Sequence, residues 1–200
     1  MTQMNLYCQT QLETKVTLLP GQINADMDDA LLNNLKEKVE LKADSGGIVL
    51  KVNEIVDYDY GIIDKINFMG STVYNVKYKC FFCAPIANLE LICSVDNIVK
   101  GFLVGHNGPI IIVVQLNNIN IQQFEIKDEK IIHKKTKKIV EKGNYVKVSI
   151  INIGNNKGEK MISTVCKLID IATEKEIDRF KKEQELVIQG SKEDDKTEYI

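Results

Sequence analysis

Val73-Tyr74-Asn75-Val76-Lys77-Tyr78-Lys79-Cys80-Phe81-Phe82-Cys83-Ala84-Pro85 is the stretch from which the rest of the chain can be divided. Tyr74, Val76, Tyr78, Cys80 and Phe82 alternate with Asn75, Lys77, Lys79 and Phe81, which predicts a long strand with one apolar face. Pro85 has no N–H to give a strand ladder and ends it. Upstream, Met27, Leu31, Leu35 and Val39 recur every four residues, with Leu32 widening the stripe, and predict a helix over about residues 26–42. Asp26, Asp28 and Asp29 suit the positive end of that helix, with Asp26 placed to cap free amides, and Gly46-Gly47 lies just past its end. Ile48, Leu50 and Val52 share one face of a further strand, and an N-terminal strand near residues 12–19 completes a small sheet. Downstream, five short strands are expected at about 89–99, 101–104, 110–116, 145–153 and 160–168, separated by turns such as His106-Asn107-Gly108-Pro109. Five strands with a longer excursion after the third, about residues 117–142, match an OB-type barrel.

The expected architecture is therefore an α+β N-terminal domain, a helix packed on a small antiparallel sheet, followed by an all-β OB-fold barrel. The boundaries expected are 1–84, 85–170 and a polar tail at 171–200, partly helical and then disordered. Ile177 and Phe180 suggest a short helix there, and Ser191-Lys192-Glu193-Asp194-Asp195-Lys196 is too polar to order itself.

Apolar residues make up 44% of the 200 and charged ones 27%, enough to bury a core. Net charge is -2, so any nucleic-acid contact has to be local. Five cysteines at irregular positions give no disulfide framework, and the longest apolar run, Ile110 to Val114, is too short for a membrane span. A soluble intracellular protein with no membrane partner is expected.

Chemistry-bearing patterns are sparse. Cys80 and Cys83 have zinc or redox spacing, but on a strand residues three apart point to opposite faces, so buried thiols acting as small apolar groups are expected. His106 and His133 have no nearby carboxylate or thiol in the sequence and read as surface or loop histidines. Asp57 and Asp59 read as a solvated turn. With no phosphate loop, triad or metal set, no cofactor is expected and an enzyme reading has no residues to stand on. Basic character concentrates in His133-Lys134-Lys135-Thr136-Lys137-Lys138, with Lys142 and Lys147 near it. These cations either touch phosphates without reading sequence or form a solvated loop; Phe102, Phe124 and Tyr145 are the aromatics available for stacking on bases, or they are core.

The order helix, strand, loop, long strand, barrel resembles the two-domain stalk subunit of archaeal and eukaryotic RNA polymerases, the seventh subunit of polymerase II and its archaeal counterpart. Val73 to Cys80 is similar to the family's Tyr-Pro-Val-Lys-Tyr-Lys-Ala segment, and Phe81-Phe82-Cys83-Ala84-Pro85 parallels its Val-Phe-Arg-Pro-Phe run into the OB domain. Gly101-Phe102-Leu103-Val104 and Pro109 fit the barrel segment in order and spacing, and the similarity covers about residues 5–170. Two departures stand out: the usual Pro-Gly-Arg-Gly tip loop is replaced by Asn67-Phe68-Met69-Gly70-Ser71, and Leu103 stands where related barrels have an aromatic.

The resemblance implies a non-catalytic polymerase subunit. Asn67, Phe68, Met69 and Gly70 would dock on the polymerase core subunits near the clamp, Val76, Lys77, Tyr78, Lys79 and Pro85 would form the inter-domain junction, and the barrel would meet nascent RNA through Phe102, Lys134, Lys135, Lys137, Lys138 and Lys147. It also implies support of transcription initiation, and a second stalk subunit is left open, since some large DNA viruses manage without one. The Ile, Asn and Lys bias suits an AT-rich viral genome; the expected location is the nucleus or the cytoplasm, and a cytoplasmic viral factory or virion if the source is viral. The alternative is a free-standing OB-fold protein that binds RNA or serves translation.

Overall fold

The computed structural model describes residues 6–44, 46–63, 70–99, 101–127, 130–154 and 157–192. Its first elements in chain order are β1 (Tyr7–Leu18), a 3-10 turn at Pro20–Gln22, α1 (Met27–Val39), β2 (Ala43–Asp44), β3 (Gly47–Tyr58), β4 (Ile62–Ile63) and β5 (Thr72–Cys83). β5 is the central strand. β1 runs antiparallel along one side of it from Tyr7 opposite Cys83 to Leu18 opposite Thr72, β3 lies antiparallel on the other side, and β4 pairs with its first residues. β1 starts five residues before the expected strand because Gln9, Gln11, Glu13 and Lys15 are the exposed half of one alternation, a period masked by the scarcity of apolar partners. Glu13 sits opposite Lys77, an attractive cross-strand pair.

α1 lays Leu31 and Leu35, both fully buried, on Val16, Leu18, Val52, Tyr74, Val76, Tyr78 and Cys80. Asp28 and Asp29 occupy its first turn and Lys36 and Lys38 its last, each sign matched to the helix dipole. The helix stops at Val39, short of the expected 42: Glu40 is already extended, its carboxylate accepts the Val52 N–H, and Leu41 turns the chain with a φ of 53°. Asp26 holds the cap position without a side-chain cap bond, and the Asn24 side-chain oxygen accepts the Asp26 N–H instead.

Seven more strands follow: β6 (Glu90–Val99), β7 (Phe102–Asn107), β8 (Ile110–Ile119), β9 (Phe124–Lys127), β10 (Lys130–His133), β11 (Tyr145–Ile153) and β12 (Ile162–Ile171). Five of these close a barrel in the order β6, β7, β8, β12, β11 and back to β6, with β8 and β12 parallel and the other pairs antiparallel. That closed five-stranded barrel is consistent with the expected OB arrangement. Leu91, Cys93, Val95, Leu103, Ile112, Val114, Val146, Val148, Ile150, Cys166 and Leu168 point inward at alternate positions. The excursion between the third and fourth barrel strands is the β9–β10 hairpin, whose Phe124 and Ile131, with Val140 beyond it, are buried in the same core and plug the end of the barrel. By strand content the described chain is mostly β.

At the opposite end the barrel meets the first sheet. Ala43, Ile48, Leu50 and Cys83 belong to the barrel core, the Ala43 N–H donates to the Glu159 carbonyl and the Gly158 N–H to the Ala43 carbonyl, both at 2.7 Å. Gly47 lies at this contact with a φ of 149°, and any Cβ there would overlap the Cys83 carbonyl oxygen.

The helix of the tail is longer than expected, and residues 193–200 of the stretch expected to be disordered lie outside the described residues. α2 (Glu174–Lys192) continues to the last described residue and packs against β6 and β3, across the join of the two sheets. Thr173 starts it in a capping arrangement: its N–H and hydroxyl both donate to the Glu176 carboxylate, at 2.9 and 2.8 Å. Glu176 also pairs with Lys147 at 2.6 Å. Burial opposes ionisation of Glu176, but the Lys147 ammonium and the two Thr173 donors outweigh it and hold the carboxyl down to about 2. A carboxyl with a depressed folded value stabilises above the ordinary glutamate range and loses that contribution as pH falls toward the folded value. α2 should therefore loosen from the barrel between about pH 4.5 and 2. Amide hydrogen exchange in α2, corrected for the intrinsic pH dependence of exchange, should lose protection over that interval in the native chain. In Glu176→Gln protection should already be low at neutral pH and stay level on acidification.

Candidate functional site

The end of the first sheet remote from the barrel carries an apolar crown. Leu19 and Ile23 follow β1, Ile62 and Ile63 form β4 beside the start of β5, and Tyr60 precedes them; Ile62 and Ile63 are 67% and 65% exposed and Tyr60 is wholly so. The loop beneath Tyr60 is fixed by Asp59, whose carboxylate accepts the Asn75 and Gly61 N–H groups and the Asn75 side-chain amide; the Asn75 backbone bond is the main reason its carboxyl is held low. Tyr58 donates to Asp28 at 2.6 Å, tying β3 to the start of α1. Asp59 thus shapes a turn, whereas Asp57, expected in the same solvated turn, is an exposed residue of β3 opposite Lys77. Of the expected docking residues, Gly70 has a φ of 70° and sits against Pro20 at this same end, while Asn67, Phe68 and Met69 lie outside the described residues.

From the crown β5 runs to the barrel without interruption. Val76 and Tyr78 are buried in the α1-side core, and Lys77 and Lys79 are exposed on the other side, with Lys79 paired to Glu54 at 2.6 Å. Cys80 and Cys83 are both fully buried but in different cores, Cys80 with α1 and Cys83 with the barrel. Burial pushes the thiols up to about 11 and about 12, so neither is a nucleophile or ready ligand at neutral pH. Pro85 follows directly and is buried where the chain enters the barrel. Among the described residues no cluster of three or more His, Cys, Asp or Glu side chains could hold a metal ion, and no helix is long and apolar enough to cross a membrane.

At the other end of the barrel lie Phe102, at the start of β7 and 43% exposed, and the turn after β10. Lys134, Lys135, Lys137 and Lys138 are all exposed on that turn, with the Lys134 ammonium donating to the Ile121 carbonyl. The other stacking candidates are inside: Phe124 is core and Tyr145 packs edge-on against Phe180 of α2. Leu103 is fully buried in the barrel, so the exposed ring on this strand is its neighbour Phe102. Lys147 stands apart from the basic turn. Glu176 at 2.6 Å and Glu90 at 3.9 Å flank it, and it holds α2 to the barrel instead of presenting a free cation.

No protein-family model matches the chain. It is 48% identical, over 200 residues spanning the whole of both chains, to a protein of Acanthamoeba polyphaga mimivirus provisionally named as a DNA-directed RNA polymerase subunit. The chain belongs to that family. The match spans the full length of both chains, so membership in the DNA-directed RNA polymerase subunit family is a property of the entire chain and not of the barrel alone.

Two constellations have no signal in the sequence of this polymerase-subunit homologue. His106 Nδ1 lies 2.8 Å from both carboxylate oxygens of Asp96, a neighbour only because β6 and β7 pair. His133 is no surface histidine, being 5% exposed: Nδ1 is 2.8 Å from the Thr136 hydroxyl, Nε2 faces Asp170 Oδ1 at 3.0 Å, and the ring packs on Phe124. Asp170 comes from β12, 37 positions away, so only the barrel closure could reveal it.

Proposed function

We propose that the chain is the non-catalytic stalk subunit of a viral DNA-directed RNA polymerase, docked on the polymerase core through its apolar crown and carrying the barrel outward to nascent RNA. The observation that carries this reading is the continuity of β5, which starts in the crown, serves the α1-side core through Cys80 and ends in the barrel core at Cys83. An exposed apolar end of the sheet suits a partner, and a rigid strand leading from it to a closed barrel makes a lever of fixed length. The 1–84 and 85–170 boundaries describe the two ends of that lever, with α2 bridging them. Phe102 and the basic turn, both at the end of the barrel remote from the crown, supply a stacking ring and phosphate contacts for RNA leaving the enzyme. Support of initiation follows from a subunit that touches both core and transcript.

The test is purification of the tagged chain from its native source. The two largest polymerase subunits should accompany it, and the double variant Ile62→Asp, Ile63→Asp should lose them while its circular dichroism and melting temperature match the parent. Charge at Phe68 or Met69 should act in the same direction. Ribosomal proteins or RNA alone in the purified material would overturn the stalk reading in favour of a free-standing RNA-binding barrel.

A further inference from the structure

We propose that Asp170, His133 and Thr136 act as a positioning set that holds the 134–138 turn closed and in shape as a site for the phosphodiester backbone of single-stranded RNA; the inference rests on the RNA-contact reading above. The turn closes around the peptide of His133, whose N–H donates to the Lys138 carbonyl and whose carbonyl accepts the Lys137 N–H at 2.8 Å. Lys137 has a φ of 56°, a conformation that disfavours a side chain with a Cβ. Three exposed lysines, Lys135, Lys137 and Lys138, are thereby held on one surface turn, where their mutual repulsion favours opening.

Something has to resist that repulsion, and the buried imidazole is built to do it. The Thr136 backbone N–H donates to His133 Nδ1 at 3.3 Å, so Nδ1 carries the lone pair and the ring proton lies on Nε2. Nε2 is buried and makes no geometrically sound hydrogen bond, yet it faces the Asp170 carboxylate at 3.0 Å, whose charge favours the Nε2–H tautomer. Asp170 fixes the ring, and the ring fixes Thr136 in the middle of the lysines. Strain and like charge concentrated on one anchored turn are complementary to a polyanion. Phe102, exposed at the same end of the barrel, favours RNA over an acidic protein, because an exposed ring can stack on a base while cations meet phosphates.

The sequence carboxylate, imidazole, hydroxyl also occurs in hydrolases. Here the amides of Thr136 and Lys137 are both engaged by His133 and are not turned toward an oxyanion.

The experiment measures binding of a labelled oligouridylate to the full chain by fluorescence anisotropy over a range of salt. Thr136→Val should weaken binding about 5-fold, the equivalent of one hydrogen bond, at unchanged melting temperature, and Thr136→Ser should restore it. The slope of log K against log salt should stay within one phosphate contact of the parent, about 0.7 for a single strand, because every lysine is still present. Replacing Lys134, Lys135, Lys137 and Lys138 together by Gln should flatten that slope by about 2 to 3. Unchanged affinity in Thr136→Val with a flattened slope in the lysine variant overturns the positioning set and leaves the RNA reading standing. Unchanged slope in the lysine variant overturns both, as does a turn that captures an acidic polypeptide in place of RNA.

Discussion

Replacing Gly105 by alanine is expected to lower the melting temperature of the chain by about 8 °C or more, one of the largest effects any single methyl group can have in this molecule. Gly105 faces into the barrel on β7, opposite Val95 of β6. A Cβ built there overlaps the Ser94 carbonyl oxygen and the Cys93 Sγ. The carbonyl is backbone and cannot rotate aside, and Cys93 is fully buried with its thiol driven upward by burial, so no open space receives it either. Relief requires β6 and β7 to separate, and β6 is also paired to β11, so the strain passes into the closure of the barrel. Clashes of this kind fall at the destabilising extreme of single substitutions, about 4 kcal/mol or more, which for a chain of this length corresponds to a shift of about 8–16 °C. Calorimetry on Gly105→Ala beside Gly101→Ala separates the two causes a glycine change can have. Gly101 has a φ of 94° and nothing near its would-be Cβ, so it reports backbone strain without the clash. Equal shifts in both variants would show that the packing argument at Gly105 is wrong.

The same barrel shows which parts of the fold are legible in the sequence. The Tyr74 to Phe82 alternation and the Leu31, Leu35 stripe are readable because each buries one face and leaves the other wet, which writes a period into the side chains. β11 matches the expected 145–153, and the other barrel strands are found within a few residues, because inward Val, Ile and Leu alternate with polar positions. The β9–β10 hairpin is invisible for the opposite reason. Its buried residues, Phe124, Ile131 and His133, are few and lie among Glu125, Lys127 and Lys130, so charge dominates the local pattern while three side chains do the packing. Nearness in sequence groups Lys147 with the basic turn, but its charge is committed to Glu176 on an element that begins 27 residues later. The carboxylate partners of both histidines are hidden in the same way: pairing of β6 with β7 supplies one, and the arrival of β12 beside the plug supplies the other.

α2 is the element whose contacts the sequence hides most completely, and it gives the second prediction. Phe180→Asp should detach α2 from the chain without unfolding either sheet. Phe180 is the buried anchor of the helix, 6% exposed and 5.6 Å from the Tyr145 ring, and the Lys181 ammonium lies over that same ring. Truncating a buried phenylalanine costs about 3–5 kcal/mol, and an unpaired carboxylate in its place adds to that. The loss falls on a helix whose other described ties are polar: Lys147 to Glu176, and the Gln184 amide donating to Tyr7 and Asn107. Neither core contains any of those groups except through Tyr7, so the helix is released locally before global unfolding. Gln184 is the informative tie, since Tyr7 belongs to β1, Asn107 to β7, and the Tyr7 hydroxyl itself donates to Asn107 at 3.0 Å. With α2 in place, helix, first sheet and barrel meet in one hydrogen-bonded knot; with it gone, the Tyr7–Asn107 bond and the Ala43 and Cys83 contacts are left to hold the two units in register. Limited trypsinolysis should therefore cut Phe180→Asp rapidly at Arg179, Lys181 and Lys182 and leave a fragment of residues 1–179 that still melts cooperatively, whereas the parent resists at those sites. Should the fragment instead degrade throughout, α2 would have to be counted as part of the core and not as a brace between two units that stand without it.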